Sequence, residues 1–176
     1  MDQAKNDYKA GREFFTKGDF AQAAMAFHNA LQGFEEQENE QGVANAADRL
    51  GDVCMAKEEY RMALDHYRRA RGICEQEKDI FSLASLDRKM AEAYRKVGDP
   101  GEALKIFLRI FDHCAATRNP QGTVEVLENI SAVYLELGEP TKAADALRTI
   151  AGIHRNFKHR RQAEAFAKRA DQLERG

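Results

Sequence analysis

The chain has 176 residues and a formal charge of −2, the size of one domain or a short repeat array. Its 28 Ala outnumber 13 Val and Ile combined, with 3 Pro, no Trp and 43% apolar residues; this inventory favours helix over sheet and excludes a collagenous, disulfide-dense or wholly disordered chain. Near-neutral charge gives the molecule as a whole no pull toward nucleic acid or anionic lipid.

The chain opens with MDQAKNDYKAG, which has no apolar signal-like run, and no later stretch has the uncharged apolar length of a membrane span. Three cysteines (Cys54, Cys74, Cys114) without an export signal fit reduced thiols and a cytoplasmic location. The apolar spacing predicts helices over about 3–17, 20–37, 41–57, 60–77, 80–97, 100–117, 121–137 and 140–157. Gly98-Asp99-Pro100 supplies a left-handed C-terminal Gly, an N-cap and a Pro at the first helical residue; Asn119-Pro120 repeats the cap and Pro, and Gly138-Glu139-Pro140 does so with a poorer cap. Beyond Arg160, Ala163, Phe166, Ala167, Ala170 and Leu173 form one stripe of a terminal helix over about 160–174.

These elements recur every 40 residues. Ala23, Ala63, Ala103 and Ala143 form one column; Gly11, Gly51, Ala91 and Ser131 another; Phe14, Cys54, Tyr94 and Tyr134 a third; Phe27, Tyr67, Phe107 and Leu147 a fourth. Gly18, Gly98 and Gly138 align, with Glu58 as the exception. Small residues let the two helices of a hairpin approach closely, and the large columns wedge between hairpins. No hairpin buries its own face, so the expected fold is all-α: an α-solenoid of four helical hairpins (about 4–40, 41–80, 81–120 and 121–159) plus a C-terminal capping helix, nine helices in a single domain over 1–176.

The order small–aromatic–Gly–Ala–aromatic–Ala resembles the tetratricopeptide repeat, here lengthened from the usual 34 or so residues as in the 40-residue repeats of LGN-type adaptors. The resemblance implies a non-catalytic protein-interaction scaffold whose first helices line a concave groove holding a peptide or helical segment of a partner. Carried over position by position, it makes the groove candidates Lys5, Tyr8, Lys9, Arg12 and Phe15, then Asn45, Asp48, Arg49, Asp52 and Met55. Ser85, Arg88, Lys89, Glu92 and Arg95 follow, and last Glu125, Glu128, Asn129, Ala132 and Leu135. The carboxylate clamp of some relatives is matched only by Tyr8, Arg12, Arg49, Ser85 and Lys89, which keep positive charge but not the Asn residues. The Asn that LGN-type adaptors carry after Leu-Gly is Asp52, Glu92 or Ala132 here.

Charge in the groove is graded, basic in the first and third repeats and acidic at Glu125 and Glu128 in the fourth, which points to an acidic peptide as partner. The competing account is that Asp48, Arg88 and Glu128, which share a column, pair with one another between repeats. Charge reversal at Arg88 and Lys89 together is expected to weaken capture and leave melting intact. A second functional reading is self-association through Phe34, Phe157 and the last helix, giving a homo-oligomer. A third, nucleic-acid binding through Lys158, His159, Arg160 and Arg161, is set against a solvated end-cap face, and no nucleic acid is expected.

Cys74, Cys114 and His154 share a column beside His113, but equivalent residues of successive repeats lie two helices apart, too far for one ion at about 2.0–2.3 Å. No metal or cofactor is expected. The chain has no Gly-rich phosphate loop, H-E-x-x-H or G-x-S-x-G, so no enzyme activity and no membrane partner are expected.

Overall fold

A computed structural model describes residues 2–175. Among them are nine helices: α1 (Gln3–Thr16), α2 (Phe20–Glu36), α3 (Glu40–Ala56), α4 (Tyr60–Glu77), α5 (Ile80–Val97), α6 (Pro100–Ala116), α7 (Pro120–Glu136), α8 (Pro140–Asn156) and α9 (Arg160–Arg175). Every boundary falls within two residues of its sequence-based position. The described residues contain no strand, and the fold is an all-α repeat solenoid.

The helices group into two compact parts, Met1–Val97 and Gly98–Gly176. In the first, α1 packs on α2, α2 on α3, α3 on α4 and α4 on α5; in the second, α6 packs on α7, α7 on α8 and α8 on α9.

The hairpins close where the small column meets the large one. A Cβ placed on Gly11 would lie 2.7 Å from the Phe27 ring, and one on Gly51 would lie 2.5 Å from Cδ1 of Tyr67. Both rings are fully buried. Ser131, buried in the same column, occurs where the large column offers Leu147, and its hydroxyl donates to the Ala143 carbonyl at 3.0 Å. Phe34 is buried under Gly42, whose α-carbon leaves its ring the room a side chain would take. That corrects the expectation that Phe34 serves self-association: it is core. Phe157 remains 54% exposed.

Each turn between helices contains one left-handed residue, and these fall every 20 residues. Gly18, Gly98 and Gly138 fill three of them, and Glu38, Glu58, Lys78, Arg118 and Lys158 fill five with φ between 51° and 61°. The next residue caps the following helix: Asp19, Asn39, Asp99 and Asn119 each accept from the backbone N–H three residues on, while Glu59 and Glu139 do not. The longer Glu side chain cannot fold back onto that N–H as Asp does.

A side chain at a left-handed residue costs about 1–2 kcal/mol, of which a glycine's extra freedom in the unfolded chain returns roughly 0.5–1 kcal/mol. Arg118→Gly is therefore expected to stabilise the fold by about 0.5–1 kcal/mol, seen as a raised urea midpoint at unchanged slope.

Candidate functional site

The candidate contact surface consists of the first-helix faces that each hairpin leaves uncovered. On α1, Lys5, Lys9 and Arg12 are exposed, and Tyr8 and Phe15 are half-buried. Tyr8 meets Phe27 edge-on at 5.6 Å between ring centroids and lies 6.4 Å from Phe34, while Phe15 lies 5.5 Å from Phe20. Both aromatics are thus held by their own hairpin. Lys5 pairs with Asp2 at 3.0 Å. Lys9, Arg12 and Lys17 line an open depression of about 500 Å³ that also contains Glu13 and Thr16.

On α3 and α5 the candidate charges converge on each other. Lys89 places its Nζ 2.7 Å from Oδ1 of Asp48 and 2.8 Å from Oδ1 of Asp52. Arg49 reaches Oδ2 of Asp52 at 2.9 Å. From α4, the buried Tyr67 hydroxyl donates to Oδ1 of Asp52 at 2.9 Å, and Lys89 lies 5.6 Å above its ring. Burial pushes the Tyr67 hydroxyl far up from its usual pKa, and the Asp52 charge adds to that. Burial works against the Arg49 charge, but the Tyr8 hydroxyl and Asp52 outweigh it, so the guanidinium is held more firmly protonated. Nearby, Arg95 pairs with Glu92 at 3.3 Å, and Asn45 and Ser85 are exposed.

This network revises the sequence reading of the charges. Asp48 takes Lys89 as its partner, a residue one repeat plus one position away. Lys89 therefore braces α5 against α3 between two carboxylates. Charge reversal there would set three carboxylates together, so reversal at 88 and 89 cannot leave melting intact. Lys89→Met is expected to cost about 1–2 kcal/mol in urea unfolding, below the 3–5 kcal/mol for a fully buried pair because water reaches this one.

A second pair was not foreseen from sequence. Asp87, on α5, is buried at 7% exposure, and Arg71 of α4 donates to it through Nε at 2.8 Å. The signal was present: Asp87 occupies a column whose other inner members are Ala47 and Leu127, both buried. A charge at a core position demands a partner.

In the C-terminal part, Glu128 lies 3.6 Å from Arg169 of α9, and the Asn129 amide donates to the Glu125 carbonyl at 3.0 Å. Leu135 is exposed. α9 is fastened to α8 by Arg148, which donates to both carboxylate oxygens of Glu174 at 2.7 and 2.5 Å. Arg68 donates to the Tyr94 hydroxyl at 3.0 Å across the same 26-residue interval, so α9 occupies the seat of a fifth first helix. Among the described residues no three His, Cys, Asp or Glu are grouped to hold a metal ion. The three cysteines are free and buried, and burial raises the Cys54 and Cys74 thiols above their usual pKa. No helix among the described residues is long and apolar enough to cross a membrane.

The stacked hairpins invite comparison with known proteins. The tetratricopeptide-repeat profile matches residues 82–156, and that of the soluble NSF attachment protein (SNAP) family matches residues 1–118, two thirds of the chain. The chain is a tetratricopeptide-type repeat protein and belongs to the SNAP family. No curated protein matches it by sequence. Among solved structures it is similar to the apo form of RapI, with TM-score 0.83 and 18% identity over 98% of this chain and 49% of that one. It is also similar to the nearly identical TPR-like repeats of a Podosopora anserina kinesin-light-chain-like protein, with TM-score 0.78 and 15% identity over 97% of this chain and 85% of that one. A third, MamA, aligns with TM-score 0.63 and 16% identity over 99% and 93%. The chain spans about half the length of RapI. At these identities the likeness concerns the fold. TPR-type and SNAP-type repeat proteins bind other proteins, and their fold is generally a non-catalytic scaffold.

Proposed function

We propose that this SNAP-family protein is a cytoplasmic scaffold, acting as one module over 1–176, that holds an acidic peptide or helix of a partner protein on its first-helix faces. The observation carrying this reading is the contrast between α1 and the faces of α3 and α5. Around Asp48 and Asp52 the charges neutralise one another through Lys89 and Arg49. On α1, Lys9 and Arg12 are exposed cations beside Lys17 in an open depression. An acidic side chain arriving there displaces water and, among the described residues, no ion-pair partner. Tyr8 and Phe15, already fixed by Phe27 and Phe20, offer rigid ring edges beside those cations, so little freedom is lost on binding.

Fluorescence anisotropy with labelled acidic, neutral and basic helical peptides tests the proposal. Acidic peptides are expected to bind in preference, and Lys9→Glu with Arg12→Glu to weaken them at least about tenfold while helical content stays unchanged. Equal binding of the basic set, or an unaffected double variant, would refute it.

A further inference from the structure

The α2–α3 and α8–α9 turns, which stand three repeats apart, each line a notch, and the two carry opposite charge at the same three positions. The first, about 490 Å³, is lined by Glu35, Glu38 and Glu40 together with Arg69, which pairs with Glu35. The last, about 610 Å³, is lined by Arg155, Lys158 and Arg160 together with Glu164. Residues 155, 158 and 160 stand three 40-residue repeats after 35, 38 and 40. Counting lining charges, the first notch holds three negative and one positive, a net −2, and the last three positive and one negative, a net +2. All six inverted residues are exposed. Glu38, Glu40, Arg155, Lys158 and Arg160 take no ion-pair partner among the described residues.

The backbone at these places repeats as well. Glu38 and Lys158 are both left-handed, at φ 53° and 60°, and each stands two residues before a helix start, Glu40 or Arg160. The two turns therefore share a backbone conformation and differ in sign, although α4 walls the first notch through Arg69, Ile73 and Gln76 and α9 walls the last through Ala163, Glu164 and Ala167. Solvation alone requires charge at such exposed turns; it does not require opposite sign at the two ends.

We infer that the basic notch of one copy of this chain docks the acidic α2–α3 turn of a second copy, so that the protein associates head to tail. The partner is another molecule of the same chain, because the surface complementary to Arg155, Lys158 and Arg160 is present on the chain itself. The contact joins two different surfaces, so each added copy leaves one notch of each sign unused, and assembly continues past the dimer unless the rotation closes a ring. It is also weak and salt-sensitive, since exposed pairs contribute little individually and are screened within about 10 Å at 0.1 M salt. This inference stands independently of peptide binding on α1, which uses other residues.

Sedimentation velocity over a concentration series decides it, at about 0.05 M and about 0.5 M salt, where screening lengths differ roughly threefold. The wild-type chain is expected to gain mass with concentration beyond a dimer at low salt and to sediment as a monomer at high salt. Reversing either notch alone (Glu35→Lys, Glu38→Lys and Glu40→Lys, or Arg155→Glu, Lys158→Glu and Arg160→Glu) is expected to abolish association. Mixing those two variants, or reversing both notches in one chain, is expected to restore it. Circular dichroism checks that each variant is folded, and the single exchanges Glu38→Lys and Lys158→Glu give the same comparison with less change. Wild type that stays monomeric at low salt, or a folded one-notch variant that associates like wild type, overturns the inference. So does a wild-type chain that binds a short DNA duplex through the basic notch and fails to self-associate. Peptide binding by the notch variants is expected to match wild type, so failure of one reading is distinguishable from failure of the other.

Discussion

Arg71→Met is expected to lower the unfolding free energy by about 2–3 kcal/mol, because it removes a charged hydrogen-bond donor from a carboxylate that is already largely out of water. Asp87 is 7% exposed, and Arg71 holds it through Nε at 2.8 Å while also reaching Glu75 at 3.1 Å from Nη1. The surface half of that arrangement, Arg71 to Glu75, contributes little by itself, since Glu75 is well solvated. The cost comes from the positive charge withdrawn from the buried carboxylate. Removing both charges is therefore expected to do less damage than removing one. In Arg71→Met with Asp87→Leu, position 87 takes the residue that its column carries at Leu127, and most of the lost stability should return. Urea unfolding of wild type, both single variants and the double closes the cycle. A double variant as unstable as the sum of its singles would show that Arg71 and Asp87 do not act as a pair.

Gly51→Val is expected to cost about 3 kcal/mol or more by overpacking with loss of a buried hydrogen bond. A Cβ at this position falls within 2.5 Å of Cδ1 of Tyr67, whose ring is fully buried and cannot swing away into solvent. Moving the ring also withdraws its hydroxyl from Asp52, which Lys89 and Arg49 share. One substitution at a hairpin crossing thus disturbs the polar network that joins α3, α4 and α5. The same change at Gly72 is expected to cost only a small fraction of that, because no atom lies within 4 Å of its Cβ position. Comparing melting curves of the two variants isolates crowding from the general effect of replacing a helical glycine. Similar losses at both positions would refute the close-approach account of the small column.

That small column shows why so much of the fold is legible. Gly11 and Gly51 meet aromatic rings, and Ser131 occurs where the large column offers Leu147. The volumes compensate along the chain, so a repeat of 40 residues is visible without coordinates. Caps were legible for the same reason: Asp99 and Asn119 are short acceptors at fixed distance from a helix start, and both accept the backbone N–H three residues on. Of the five left-handed turns filled by Glu, Lys and Arg, only Glu58 shares the glycine column; the other four were not legible, because no glycine marks them. There the repeating geometry of the hairpins imposes a conformation that the local residue does not favour.

The candidate site divides along a different line. Periodicity made the helices that carry its residues legible, while the choice of those residues came from the resemblance to the tetratricopeptide repeat. Their pairings were not legible, because a step of one position turns a helix by about 100° and decides which of two neighbouring cations reaches a carboxylate. Lys89 rather than the column-mate Arg88 sits between Asp48 and Asp52 at 2.7 and 2.8 Å, and Arg71 comes from the preceding helix to reach Asp87.

Sequence by itself therefore determined the nine helices, the hairpin repeat and the positions where backbones cross, since these follow from residue volume and hydrophobicity recurring at a fixed interval. Only the tertiary structure decided which charges are consumed inside the protein and which, like Lys9 and Arg12, face water. That outcome depends on distances of a few ångströms between side chains of different helices, over which Coulomb attraction and desolvation nearly cancel.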